Sequence, residues 1–160
     1  MNISIVIVSY NVKEYIISCI ESIYKHSKAR LSFEIIVVDN NSEDGSQLEL
    51  KKRFSKILLI ENDYNAGFSV AVNQGVKKCK GKYIFLLNPD TLFLEDTLHK
   101  LFQKNEKNEK IGAIGPESLF IGLYSNTTPS DFIVSTNSIN AGVPITLTYF
   151  SCLSLKGLRK

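Results

Sequence analysis

The sequence predicts an α/β protein, a mainly parallel sheet covered by helices on both faces. Three observations predict it. Short, nearly continuous apolar runs recur through the first 115 residues, as strands buried on both faces do. Segments with apolar residues at helical spacing separate these runs, and such alternation implies right-handed crossovers between parallel strands. The runs also stop abruptly at carboxylates, prolines or turn residues.

Each element has its own warrant. Ile3–Val8 is an apolar, β-branched strand, and Val12 to about Lys28 follows as a helix with Ile16, Ile20, Ile23 and Tyr24 on one face. Phe33–Asp39 is a second strand, and the cluster Asn40–Gly45 is a dense turn. A helix opens at Ser46, where Ser46 and Glu49 match a Ser-x-x-Glu capping box. Ile57–Ile60 is a third strand with an exit loop from Glu61 to Gly67. A third helix runs from Phe68 to about Lys78, with Phe68, Val72 and Val76 as its expected inner face. The fourth strand, Tyr83–Leu87, is bounded by Gly81 and by Pro89, which cannot donate to a ladder. A helix from about Glu95 to Asn105 and a short strand, Ile111–Gly115, complete the alternation.

After Pro116 the pattern fades. Residues 119–160 hold a single acidic residue, Asp131, and Ile145, Leu147 and Tyr149 alternate with threonines as one strand would. The expected division is a ligand-binding domain over 1–118 and a divergent or truncated tail over 119–160. The Asn126–Thr128 glycosylation sequon is read as chance, because no export signal precedes it.

Composition narrows the classes. A chain of 160 residues with 44% hydrophobic content supports one compact core. A net charge of +3 from 19 basic and 16 acidic residues is too weak for a nucleic-acid surface. Three unevenly spaced cysteines, Cys19, Cys79 and Cys152, argue against a disulfide framework and for a reducing compartment. Cys19 and Cys79 fall on apolar helical faces and read as buried thiols. No run of 18 or more apolar residues marks a transmembrane helix. His26 and His99 read as surface or helix-end residues, and Lys77, Lys78, Lys80 and Lys82 as a solvated helix terminus.

The chemistry gathers at the strand exits. The first strand delivers Ser9, Tyr10 and Asn11, the second Asp39, Asn40 and Asn41, and the fourth Asn88, Pro89 and Asp90, while Asn65 and Gly67 lie in the loop after the third. In a parallel sheet these exits share one edge, where open α/β sheets bind ligands. Two carboxylates, several amides and no His or Cys suit a nucleoside diphosphate held through a hard cation better than a zinc or thiol site. A dinucleotide fingerprint is missing, since Ser-Tyr-Asn-Val-Lys-Glu stands where Gly-x-Gly-x-x-Gly is required. The stretch from Gly75 to Tyr83 fails as a phosphate-cradling loop in spacing and in its last residue, and it precedes a strand.

Four ordered blocks carry a resemblance: Ile5 to Asn11, Ile36 to Ser46, Asn65 to Gly75 with Gly67, Ala71 and Asn73 inside it, and Phe85 to Thr91. Together they resemble the family 2 glycosyltransferases, most nearly the rhamnosyltransferase-like branch, over about residues 2–118. The resemblance implies a GT-A, Rossmann-like fold, with the acceptor half expected to be lacking here. It also implies a hexosyltransferase-type enzyme that uses a UDP- or dTDP-sugar, with Mg²⁺ or Mn²⁺ and inversion at the anomeric carbon. Ser9, Tyr10 and Asp39 would contact base and ribose, with Asn11 and Asn41 beside them. Asn65, Gly67 and Asn73 would lie along the sugar and phosphates. Asp90 would be the metal ligand that ends an Asp-x-Asp motif whose first position is Asn88 here.

Further expectations follow from the resemblance. The acceptor would be a saccharide or lipid-linked, in bacterial polysaccharide biosynthesis. The location would be the cytoplasm, with peripheral association at the inner face of the cell membrane. Self-association would cover apolar surface. Only 70 residues follow Asp90, and Glu117 and Asp131 match no base motif, so no catalytic base is assigned and a shortened chain is expected. A non-catalytic nucleotide-sugar-binding module is the alternative. A nucleotidyltransferase is a third reading, which expects a Gly-rich basic loop after the first strand.

Overall fold

The computed structural model describes residues 1–27, 31–107, 111–115, 132–135 and 151–154. In chain order the elements are β1 (Ile3–Ser9), α1 (Lys13–His26), β2 (Phe33–Asp39), α2 (Ser46–Arg53), β3 (Leu58–Glu61), α3 (Phe68–Val76), β4 (Tyr83–Leu87), α4 (Thr97–Lys107), β5 (Ile111–Gly115), β6 (Phe132–Ser135) and β7 (Ser151–Ser154). Among the described residues they form a seven-stranded sheet in the order β3-β2-β1-β4-β7-β5-β6. β3, β2, β1 and β4 pair in parallel, while β7 runs antiparallel to both β4 and β5, and β6 antiparallel to β5. The expected mainly parallel sheet is therefore present in the first half. β7 enters between β4 and β5 from the far end of the chain. The expected strand at 145–149, the sequon at 126–128, Glu117 and Asp131 lie outside the described residues.

The two-residue period of each strand sorts its side chains onto two faces. On one face Ile3, Ile5, Ile7, Ile35 and Val37 pack against Ile16, Ile20 and Ile23 of α1, Leu50 of α2, and Leu98 and Leu101 of α4. On the other, Val6, Ile36 and Ile84 meet Val76 of α3 and Cys79. Helices thus cover both faces, as the sequence predicts. α1 reads its core face correctly at Ile16, Ile20 and Ile23. Tyr24 sits at the rim, 40% exposed, with its ring against Phe33 and Phe54. Among the described residues no helix is long and apolar enough to cross a membrane.

Two local expectations are corrected. α2 has no Ser46–Glu49 capping box: Gly45 is the N-cap in the left-handed region, and Ser46 is the first helical residue. The Ser46 hydroxyl donates to the Asp44 carboxylate, and Glu49 instead accepts from Arg53 one turn on. Charged partners outcompete the neutral cap because charge-assisted hydrogen bonds are stronger.

The inner face of α3 is also different. Its fully buried residues are Ala71 and Gly75; Val76 packs against the sheet as expected, whereas Val72 is half-buried and Phe68 is 55% exposed. The helix lies so close to the sheet that a Cβ on Gly75 would stand 2.5 Å from Val6 Cγ1 and 3.3 Å from Val38 Cγ2. Close packing selects the smallest residues here, and a hydrophobicity pattern selects the largest.

His99 departs in part from a surface role, being half-buried with its Nδ1 lacking a partner among the described residues. The lysines at 77, 78, 80 and 82 are exposed as expected.

Candidate active site at the carboxyl ends of β2, β1 and β4

The registers Ser9↔Asp39 and Ile7↔Leu87 bring three strand exits to one edge, on adjacent strands. With strands about 4.8 Å apart, Asp39 and the segment entering Asp90 are separated by on the order of 10 Å across β1. Asp90 is exposed, Asn88 half-buried, and Asp39 fully buried. Ser9 is also fully buried, and its Oγ has no hydrogen-bond partner among the described residues. Tyr10 extends beside it, 49% exposed.

The first two exits are laced together. The Asn11 N–H donates to Ser42 Oγ at 2.9 Å, and Asn11 Oδ1 accepts from the Glu43 N–H at 2.8 Å. The Lys13 N–H at the start of α1 donates to Asp44 Oδ2 at 2.8 Å, and the Asn40 N–H to the Ser9 carbonyl at 2.8 Å. Asp44 is thus a cap for α1 supplied from another loop, where Val12 makes no side-chain cap. Partial burial opposes ionisation of Asp44, yet hydrogen bonds from the Ser46 hydroxyl and the Ser46 and Lys13 amides outweigh it. The net effect holds its carboxyl below the usual range. Asn11 and Asn41 take positive φ, at 53° and 66°, a conformation that Asn tolerates better than most residues. Asn11 therefore has a structural task at this edge.

Asp39 takes three hydrogen bonds from within the chain. Its Oδ1 accepts from the Ser42 N–H at 2.8 Å and from Gln47 Nε2 at 2.7 Å, while Oδ2 accepts from Ser42 Oγ at 2.6 Å. The β3 exit is tied to the β2 exit by amides. Asn62 Nδ2 donates to Asn40 Oδ1 at 2.8 Å and to Gln74 Oε1 at 2.9 Å, and Gln74 Nε2 returns a bond to Asn62 Oδ1 at 3.0 Å. Asn40 Nδ2 reaches the Gly67 carbonyl at 3.4 Å, and the Gly67 N–H donates to Asn65 Oδ1 at 3.0 Å. Gly67 has φ 79° and ψ 165°, a region essentially closed to residues with a Cβ. Asn73 is exposed farther along α3.

The loop after β4 is anchored on α1. Phe93 is buried against Phe85, its N–H donates to Ser22 Oγ at 3.0 Å, and the Ser22 hydroxyl donates to the Cys19 carbonyl at 2.7 Å. The Cys19 thiol meets the Asn88 carbonyl at 3.8 Å. Burial, reinforced by the negative charge of Asp90 and opposed by a hydrogen bond with the Thr91 backbone, pushes that thiol up to about 12.

The strand-exit logic therefore brings Ser9, Tyr10, Asn11, Asp39, Asn41, Asn88 and Asp90 to one edge, with Asn65 and Gly67 tied in through Asn40. It misses Ser42, Asp44, Gln47, Asn62 and Gln74. Asp39-x-x-Ser42 carries a visible turn signal. Gln47 and Gln74 carry none, because their partners are set by the tertiary fold. Among the described residues no three His, Cys, Asp or Glu side chains form a metal-holding group. An open cavity of about 540 Å³ lined by Tyr24, Leu31, Phe33 and Lys56 lies at the opposite edge, where strands begin, and includes none of the exit carboxylates.

Comparison with known proteins fits this arrangement. The family model described as glycosyl transferase family 2 matches residues 4–142. The chain is similar to a poly(ribitol-phosphate) beta-glucosyltransferase of Bacillus spizizenii, 28% identical over 141 residues that cover 86% of this chain and 22% of the relative. Its fold resembles S. aureus TarS 1-349 in complex with UDP-GlcNAc, with TM-score 0.67, 21% identity, and coverage of 79% of this chain and 37% of TarS. It also resembles a Pyrobaculum calidifontis mannosyltransferase in complex with GDP-Man and Mn²⁺, with TM-score 0.66, 20% identity, and coverage of 74% and 36%. None of these three names rhamnose. The chain spans 22–37% of the length of these proteins. The parallel half-sheet with its flanking helices is the GT-A arrangement, and the chain belongs to glycosyl transferase family 2.

Proposed function

We propose that residues 1–118 form the donor-binding half of an inverting, metal-dependent hexosyltransferase. It takes a UDP- or dTDP-sugar and passes the sugar to a saccharide or lipid-linked acceptor in the cytoplasm, at the inner face of the membrane where the acceptor is lipid-linked. The observation that carries the reading is the convergence of Ser9, Asp39 and Asp90 on one edge of β2, β1 and β4 in a family 2 chain.

The residues divide the donor between them. Asp39, an acceptor at the β2 exit, recognises an N–H on the base edge, and Tyr10 offers an exposed ring for the base plane. Ser9 Oγ, buried without a partner, has an unused donor facing the cost of desolvation. Asn65, Gly67 and Asn73 lie along the sugar and phosphates, where the N-terminal amides of α3 favour negative charge.

A divalent cation fits the β4 exit. Asp90 is an exposed carboxylate beside the Asn88 amide, and a hard divalent ion can take its other oxygens from diphosphate and water. Asp90, with Asn88, would hold Mg²⁺ or Mn²⁺. When bound, the ion supplies positive charge to the diphosphate as it leaves. The mannosyltransferase neighbour named above was obtained with Mn²⁺.

Titration calorimetry with UDP and dTDP, with and without Mn²⁺, tests the reading. Metal-enhanced binding that is lost in Asp90→Ala is expected. Binding that Asp90→Ala leaves unchanged overturns the metal assignment, and no nucleotide binding under any condition overturns the donor site. Transfer or donor hydrolysis then separates an enzyme from a binding module, since a module binds without turnover.

A further inference from the structure

We propose that Gln47 is a gate over Asp39, exchanged for the nucleobase when donor binds, and that this exchange makes the site selective for bases with an imide N–H. The inference rests on the donor-site reading above and concerns a residue that reading does not use.

The argument begins from a conflict of geometry. Asp39 is proposed to accept an N–H from the base, yet its carboxylate is fully buried and already takes three hydrogen bonds from this chain. A carboxylate has about four acceptor positions. Oδ1 already carries two of the three, so a base N–H that is to take a position on Oδ1 must displace one of its present donors. Two of the three donors belong to Ser42, in the same four-residue turn, and they are held from behind. Ser42 Oγ also accepts the Asn11 N–H at 2.9 Å, and that N–H begins the lacing to the β1 exit. Displacing Ser42 would therefore unpick both loops.

Gln47 is different. It is the second residue of α2, half-buried, and reaches Asp39 Oδ1 through a flexible side chain at 2.7 Å. Its amide N–H is chemically close to an imide N–H, a neutral nitrogen donor of similar geometry. Without ligand, Gln47 keeps a buried carboxylate satisfied, which avoids the penalty of an unpaired charge. With ligand, a base N–H takes the same position on Oδ1, and the Gln47 amide rotates outward to water.

Selectivity follows from the exchange. Uracil and thymine present N3–H and replace the lost donor. Cytosine, held in the pose that uracil takes, presents an acceptor at N3, so moving Gln47 aside would leave Asp39 Oδ1 facing a lone pair. The gate then stays closed and CDP binds through its phosphates alone.

The first measurement uses the unaltered protein. The side-chain amide resonance of ¹⁵N-labelled Gln47 should move toward the position of a free amide on adding UDP or dTDP, and should stay in place with CDP. A resonance that stays put while UDP binds, or that moves equally with CDP, overturns the gate and leaves the donor site standing. No binding of any nucleotide overturns both.

The second uses Gln47→Met, which keeps the length and removes the donor. UDP should bind roughly fivefold tighter, the scale of one net hydrogen bond no longer broken on binding, while CDP affinity is unchanged. A UDP-to-CDP affinity ratio that stays the same or falls means that Gln47 only orients Asp39, and the proposal fails.

Discussion

Ser22 shows how much depends on a single hydroxyl. It accepts from the buried Phe93 N–H and donates to the Cys19 carbonyl, so it fastens the loop bearing Asp90 to α1. Ser22→Ala leaves that amide without a partner in a dry place, which costs about 1–3 kcal/mol. Urea unfolding should show a loss of that size, and an unchanged midpoint would mean that water replaces the hydroxyl. Beneath the same loop, the Cys19 thiol is pushed up to about 12, and on the other face of the sheet that of Cys79 to about 11, burial being the main cause for both. The thiolate is the reactive form. Iodoacetamide at pH 8 should therefore leave both cysteines unmodified in the folded protein and label both in urea, as read by peptide mass mapping. Labelling of Cys19 without denaturant would contradict its packing.

At the level of elements, α3 is placed by what it lacks. A methyl added at Gly75 would meet the stiff, buried Val6 side chain at 2.5 Å, so the helix must lift off the sheet. Overpacking of this kind costs about 1–3 kcal/mol, and the helix-propensity gain of about 1 kcal/mol offsets only part of it. Gly75→Ala should accordingly destabilise the fold by about 1 kcal/mol in equilibrium unfolding. Gly67 at the head of the same helix gives a contrasting case. A Cβ there meets nothing within 4 Å, so Gly67→Ala acts through backbone strain alone, about 1–3 kcal/mol. Its effect should reach the Asn65–Gly67 loop, and nucleotide affinity should fall together with stability. A Gly67→Ala protein of unchanged stability and affinity would show that the loop relaxes freely.

Across the whole molecule, Asp44 joins two crossovers that the chain builds separately, linking the head of α1 to the turn that opens α2. Its carboxyl is held below the usual range in the fold, whereas the unfolded chain titrates near the reference value of about 3.9. A depressed folded value means that the stabilisation is complete above about pH 4 and disappears as pH falls through the folded value. Circular dichroism during acid titration should show stability declining below pH 4. Asp44→Asn should flatten that part of the profile while lowering stability at pH 7. A variant with the same acid profile as the parent would assign the acid loss to other carboxylates.

Residues adjacent in sequence announced the strands, their exits and most helices. An apolar run cut off by Asp39 or by Pro89 is a local event, and burial of one helical face repeats at a period that the chain itself displays. The convergence of Ser9, Asp39 and Asp90 was legible for this reason, since parallel connections leave few other arrangements. Partners across space had no such signal. That Gln47 turns to Asp39, that Asp44 caps α1 instead of Ser46 capping α2, that Ala71 and Gly75 face the sheet, and that β7 slips between β4 and β5 all depend on how closely distant segments approach. Approach distance and strand pairing come from packing the assembled layers, and no window of neighbouring residues contains them.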